Sequence, residues 1–289
     1  MFSWFIIALL LSSVYCSLKV EQKVEKGEAT VCFKFEPKYY YLKDYVEILK
    51  FTMNLLERSN KQSVRKNMLE MKHEIYKALA KPKRDCKSYY DMGIRKDGIY
   101  RLSPKGATPF HAYCDMKNGG WTVIQRRKYG DVPFDRKWVA YAEGFGNLDG
   151  DHWLGNRQIH QLTKEKPSQI SFEFIMASDH ANATAIYNGF YIDDEGAQFR
   201  MHVKPNAKYN KAIKKYIKNN GFYYHNNMKF SAVDRDNDRN RGNCASSSGY
   251  WYDNCLLFAY INGDFTSMFI HDSIKSYIIR SEIKVRRRI

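Results

Sequence analysis

A single boundary divides this sequence into two kinds of chain. Between residues 17 and 85 there is one glycine, Gly27, and aromatics become sparse after Tyr45. Apolar or near-apolar positions recur at Leu42, Val46, Leu49, Met53 and Leu56, then at Val64, Met68, Met71, Ile75 and Ala78. The intervals alternate four and three except around Asn60, where consecutive fours make a stutter; this is the spacing of a coiled-coil seam. Such a stripe has to be buried, and no second helix of similar length is evident nearby in the sequence. Self-association is therefore expected, with a helix packed on the chain's own globular part as the alternative. Proline cannot continue a helix, so Lys81-Pro-Lys-Arg84 ends the segment. From Cys86 onward the texture is short alternating stretches, aromatics and Gly/Asn/Asp turns. Thr122–Arg126, Gln169–Ile175, Gln198–Val203 and Glu282–Arg286 have strand periodicity, and Asn156–Leu162 that of a short helix. The expected organisation is a leader over 1–16, a helical stalk over 17–82 and one α+β globular domain over 83–289.

The leader rests on the apolar run Phe5–Val14, too short for a bilayer, which needs roughly 20 apolar residues, but of signal-peptide length with small residues near Cys16 and Ser17. No other run is long enough to span a membrane, so a secreted, extracellular protein is expected. Secretion changes the reading of the six cysteines. Without Cys16 five remain, and the spacings suggest two local bridges, Cys86–Cys114 and Cys244–Cys255, although sequence permits other pairings. Cys32 is then left either to join two chains or to stay unpaired.

The formal net charge is +16, which raises the question of nucleic acid or anionic glycans. The excess is spread through both parts of the chain, and the only dense runs are Lys81–Arg84 and Lys284–Arg288. A solvated basic surface is expected, with adhesion to anionic glycans or membranes as the alternative, and no nucleic-acid site. Asn182-Ala-Thr184 is an acceptor sequence for N-linked glycan at Asn182. Neither a nucleophile elbow, a phosphate-cradling glycine loop nor a zinc signature occurs, and the histidines form no ligand spacing, so an enzyme is not expected.

The later motifs are specific. Cys86 with Gly98-Ile-Tyr-Arg-Leu102 is followed by Phe110-His-Ala-Tyr-Cys-Asp-Met116, Gly119-Gly-Trp-Thr-Val-Ile-Gln-Arg-Arg127, Phe134-Asp-Arg-Lys-Trp138, Gly144-Phe-Gly146 and His152-Trp-Leu-Gly-Asn156. Then come Phe230-Ser231, Asp234-Arg-Asp-Asn-Asp238, Gly242-Asn-Cys-Ala245, Tyr250-Trp-Tyr-Asp-Asn-Cys255 and Asn262-Gly263. In this order, from about Cys86 to Val285, the series resembles the fibrinogen-related globular domain of ficolins, tachylectins, angiopoietin-like proteins and the fibrinogen chains. The resemblance implies an α+β fold with antiparallel sheets and short helices, and binding without chemistry.

Asp234, Asp236 and Asp238 alternate within five residues, a crowding of carboxylates that repel one another without a cation. Calcium accepts six to eight oxygen ligands, many of them carbonyls or waters. An EF-hand is excluded, because Arg239 stands at its sixth position and Ala245 at its twelfth. The resemblance implies that Ca2+ is held by the carboxylates of Asp236 and Asp238 and the backbone carbonyls of Asn240 and Gly242. Beside them, Tyr250, Trp251 and Tyr252 sit in the loop between Cys244 and Cys255, where aromatics can form a wall for a sugar.

In lectins of the family the pocket lies beside this loop, with a cis peptide before the second cysteine, here Asn254–Cys255. A histidine normally follows that cysteine; this chain has Leu256, and its Gly263–Tyr277 segment is short. The expected role is thus an oligomeric, calcium-binding lectin of innate immunity, or a signalling ligand of the angiopoietin-like kind that binds a receptor ectodomain at the same face.

Overall fold

The computed structural model describes residues 18–25, 28–35, 81–215, 221–255, 259–270 and 276–288; the expected leader and heptad-spaced positions Leu42–Ala78 lie outside these. The first described elements correct the beginning of the expected stalk, over residues 18–35 only. Strands β1 (Leu18–Glu25) and β2 (Glu28–Phe35) pair antiparallel, with Leu18 opposite Phe35, Val20 opposite Phe33 and Val24 opposite Ala29. The reason is visible in the sequence. Leu18, Val20 and Val24 alternate with Lys19, Glu21, Lys23 and Glu25, and Ala29, Val31, Phe33 and Phe35 do the same after Gly27. Period two with a glycine between is a hairpin pattern. Cys32 lies in β2, in register with Glu21.

The main sheet begins after helix α1 (Cys86–Asp91), whose first turn is capped by Asp85 accepting from the Ser88 N–H at 2.7 Å. It contains β3 (Gly98–Leu102), β4 (Phe110–Asp115) and β5 (Trp121–Arg127). Helix α2 (Trp138–Glu143), the two-residue strands β6 (Phe145–Gly146) and β7 (His152–Trp153), and helix α3 (Asn156–Thr163) follow. Next are β8 (Ser168–Met176), β9 (Asn182–Ile192), β10 (Met201–His202) and β11 (Ala207–Tyr209). The last strands are β12 (Ala259–Tyr260), β13 (Phe269–Ile270) and β14 (Ser276–Arg287). The main path runs β10-β9-β8-β14-β5-β4-β3, every named pair antiparallel, with β11 on β9.

The last strand is central. β14 pairs with β5 on one side and β8 on the other, so the sheet closes only when the C-terminus has arrived. β5 is buried at all seven positions, so both faces of this antiparallel strand are covered. The strands expected at Thr122–Arg126, Gln169–Ile175 and Glu282–Arg286 fall inside β5, β8 and β14, and the expected helix inside α3. Gln198–Val203 is different: only Met201–His202 is strand, because Gln198 and Phe199 take left-handed φ of 60° and 48°. β9 was not anticipated, although Ala183, Ala185, Tyr187, Phe190 and Ile192 are all buried.

Charge is stored inside this sheet. Lys284 is 1% exposed, and its Nζ lies 2.7 Å from both Asp115 and Glu173 and 3.5 Å from Glu282. Burial opposes the Lys284 charge, yet the three carboxylates hold its pKa above the ordinary lysine value. Burial alone would raise Asp115, but Lys284 brings it below the usual carboxylate range. The cystine Cys86–Cys114, with Cα atoms 5.4 Å apart, ties α1 to β4.

Candidate functional site

The candidate site is the loop from Ser231 to Cys255, which stands on an aromatic floor. Its two ends meet at an antiparallel bridge, with the Ser231 N–H donating to Tyr250 O at 2.9 Å and the Tyr250 N–H returning to Ser231 O at 3.1 Å. The second expected cystine, Cys244–Cys255, closes the tip with a Cα separation of 5.0 Å. At Gly249 the loop passes so close to the core that a Cβ would sit 2.6 Å from the Tyr141 ring, so only glycine fits.

Inside that frame short polar side chains curl the backbone. Asp236 Oδ1 accepts from the Asp238 N–H at 3.1 Å, and Asp238 Oδ1 from the Asn240 N–H at 2.8 Å. Asn240 Oδ1 accepts from the Gly242 N–H at 2.9 Å, while Asp238 Oδ2 accepts from the Cys244 N–H at 2.8 Å. Each is a side chain bonding the backbone a few residues on, the habit that makes Asp and Asn turn-formers. Asp234, the third carboxylate of the motif, is turned away: it accepts from the Trp138 N–H at 2.7 Å and so anchors the start of α2. Arg235 stacks over the Trp138 ring at 4.2 Å. Arg239 pairs with Asp253 at 3.5 Å rather than with the two remaining acids.

Asp236 and Asp238 are therefore the acidic pair. Partial burial raises the Asp238 carboxyl above its ordinary pKa, and the neighbouring Asp236 carboxyl raises it further. Among the described residues no cluster of three His, Cys, Asp or Glu side chains forms a metal site. A calcium ion would instead need these two carboxylates and main-chain oxygens. The donors suit it: among the described residues no N–H or O–H donates to the carbonyls of Asn240 or Gly242, and the set is oxygen only, as a hard cation prefers.

The expected aromatic wall is not there. Tyr250, Trp251 and Tyr252 are 2%, 1% and 2% exposed. Each is drawn inward by what lies beneath. Trp251 packs against Phe230 and Trp153 with ring centres 5.2 Å and 5.9 Å away, and its indole N–H donates to Phe199 O at 2.8 Å. The hydroxyls of Tyr252 and Ser248 are 2.7 Å apart. The ring of Tyr250 meets His225 edge-on at 5.4 Å. His225 Nδ1 lies 2.7 Å from Trp251 O, and complete burial lowers its pKa to about 4. Sequence reasoning missed His225 as the floor of the site, because a lone histidine outside any motif gives no signal.

The exposed rim carries Asp236, Arg239, Arg241 and Asn254. Asn254 Oδ1 accepts from Asn240 Nδ2 at 2.7 Å, tying the middle of the loop to its last residues. The described residues contain no cis peptide, so the expected cis bond at Asn254–Cys255 is corrected to trans; Cys255 instead takes a left-handed φ of 56°. Leu256 lies outside the described residues. Asn182 is exposed at the start of β9.

Comparison with known proteins decides the family. The family model for the C-terminal globular domain of fibrinogen beta and gamma chains matches residues 82–277. The chain belongs to the fibrinogen C-terminal domain family. Relatives of this fibrinogen-like chain include human fibroleukin, 36% identical over 78% of this chain and 51% of the relative. Mouse angiopoietin-related protein 7 is 38% identical over 62% of this chain and 52% of the relative. The chain thus spans about half the length of these curated relatives. Among solved structures, the fibrinogen-like globe domain of human ANGPTL2 superposes with a TM-score of 0.63 at 28% identity, covering 71% of this chain and 99% of that one. A lamprey fibrin D-dimer shares the fold with a TM-score of 0.59 at 24% identity, over 84% of this chain and 88% of that one. Among the described residues of this fibrinogen-like protein, no helix is long and apolar enough to cross a membrane.

Proposed function

We propose that this chain is a secreted, non-catalytic recognition protein whose fibrinogen-like domain binds a partner ectodomain through a calcium-braced loop. The observation that carries this reading is the burial of Tyr250, Trp251 and Tyr252. With the rings inside, the loop offers a partner charged and amide groups rather than a stacking platform. Such a rim suits a broad protein surface, where charge complementarity sets orientation and specificity. Calcium would hold Asp236 and Asp238 together with the Asn240 and Gly242 carbonyls, and would offset the burial and the Asp236 repulsion that raise Asp238. The heptad-spaced positions from Leu42 to Ala78 favour clustering of several domains, with Cys32 available to join chains. Clustering converts weak single contacts into avidity, by about 10²–10⁴.

The experiment is a paired screen of the full chain, with calcium and with chelator, on a glycan array and on a library of displayed receptor ectodomains. Calcium-dependent capture by an ectodomain with a blank array is the expected result. Calcium-dependent binding to acetylated sugars would replace this reading with a lectin, and with it a place in innate immunity.

A further inference from the structure

A second surface lies on the sheet edge built by β9, β10 and β11. Between Glu195 and Asp234 the chain has seven lysines and one arginine and no Asp or Glu. β9, the strand on which β11 pairs, contains no Asp or Glu either. Lys204, Lys208, Lys211 and Lys214 are all exposed, and none of them forms an ion pair among the described residues. Of the three acids that precede this stretch, Asp193 lies 2.8 Å from His202, Glu195 lies 2.8 Å from Arg157, and Asp194 accepts from the Ala197 N–H at 3.0 Å. The lysines are held in line by the backbone. The Lys204 N–H donates to Asn188 O at 2.9 Å, Lys208 is in register with Ile186, and the Lys214 N–H donates to Asn210 O at 3.3 Å. Lysines on an edge strand discourage pairing with another sheet, which accounts for Lys208 inside β11. Lys204, Lys211 and Lys214 stand outside the strand and need another reason.

We infer that the row Lys204–Lys208–Lys211–Lys214 along the edge strand β11 and its flanks is a binding site for a sulfated polysaccharide. A row of point charges with no acid between them matches a linear polyanion, and counterions released from the polymer supply the driving force. The apolar neighbours argue against a lipid surface. Ile213 is buried, and Ala207, Tyr209 and Ala212 pack on the core, so among the described residues the row offers no apolar side chain for insertion into a bilayer.

The test is elution of the full chain from immobilised heparin. The variant Lys204→Gln/Lys208→Gln/Lys211→Gln/Lys214→Gln is compared with a control carrying the same charge change elsewhere, Lys96→Gln/Lys105→Gln/Lys164→Gln/Lys166→Gln. The row variant should elute at markedly lower salt, its log K against log[salt] slope flatter by about three, since four charges no longer displace counterions. The control should stay near the unsubstituted protein. A second readout needs no variant: heparin oligosaccharide should protect these four lysines of the native chain from acetylation, and leave Lys96 and Lys105 reactive. Equal losses in both variants, or no selective protection, would overturn the inference. So would capture by phosphatidylserine vesicles without retention on heparin, which would assign the row to a membrane surface instead.

Discussion

Two groups of carboxylates in this molecule meet opposite fates. In the sheet, Asp115, Glu173 and Glu282 surround a buried lysine, and Asp115 is held below its ordinary pKa. In the loop, Asp236 and Asp238 have backbone N–H donors and each other, and Asp238 is pushed up. The first group is complete within the chain. The second is curled into shape by the chain, but burial and then the neighbouring Asp236 charge still raise Asp238, and the calcium proposed for this loop would offset both. The comparison separates charge neutralised inside the fold from charge that has no cationic partner among the described residues.

The contrast breaks most visibly at Lys284. Lys284→Met leaves Asp115 and Glu173 without their cation at the middle of the sheet, while Glu282 keeps Arg126 at 2.5 Å, and removing one partner of a buried ionic cluster costs about 3–5 kcal/mol. Guanidinium unfolding at pH 7 measures it; a loss under 1 kcal/mol would mean that the sheet cluster is no more self-sufficient than the loop.

Next is acid sensitivity beneath the loop. Complete burial pushes the His225 pKa down to about 4 in the fold, against an ordinary value near 6.5. The unfolded chain therefore binds a proton first as pH falls. The contribution of His225 is fully present above pH 6.5 and is lost progressively down to pH 4, about 3 kcal/mol in total. Unfolding midpoints at pH 7 and pH 4.5 should differ less in His225→Asn than in the parent chain. An unchanged pH dependence would remove His225 from the account.

The loop cystine is worth somewhat less. Cys244→Ala/Cys255→Ala opens an eleven-residue separation, and loop-closure entropy sets the loss at between about 2 and 3 kcal/mol. Thermal unfolding should show it, together with weaker calcium binding, because the Cys244 N–H that positions Asp238 is released.

The smallest effect sharpens the comparison most. Asp238→Asn in chelator should change stability by under about 1 kcal/mol in either direction, since it trades backbone acceptors for relief of repulsion. An acid that was part of a completed structural cluster would cost several times more.

Much of this was legible before the fold. The two cystines, β5, β8, β14 and α3 follow from spacing and period, and the acidic loop from its alternating aspartates. Other features were hidden for physical reasons. The stretch Tyr250-Trp-Tyr252 reads as a binding platform because amphipathic rings serve surfaces and cores alike; only the indole bond to Phe199 O and the Ser248 hydroxyl show that these face inward. β9 escaped because its buried positions include Ala183 and Ala185, weak apolar signals. The hairpin Leu18–Phe35 escaped because scarce glycine suggested helix, while charge-apolar alternation decided for strand. The lysine row escaped a search for dense basic runs, since its members are three or four residues apart and only the edge of the sheet aligns them.

Calcium titration of the unfolding temperature addresses the loop most directly. In the parent chain the midpoint should rise with calcium, by the equivalent of about 2.7 kcal/mol at a hundred times Kd, while Asp236→Asn/Asp238→Asn should not respond. A parent chain whose midpoint is the same in calcium and in chelator would contradict the assignment of this loop as a cation site.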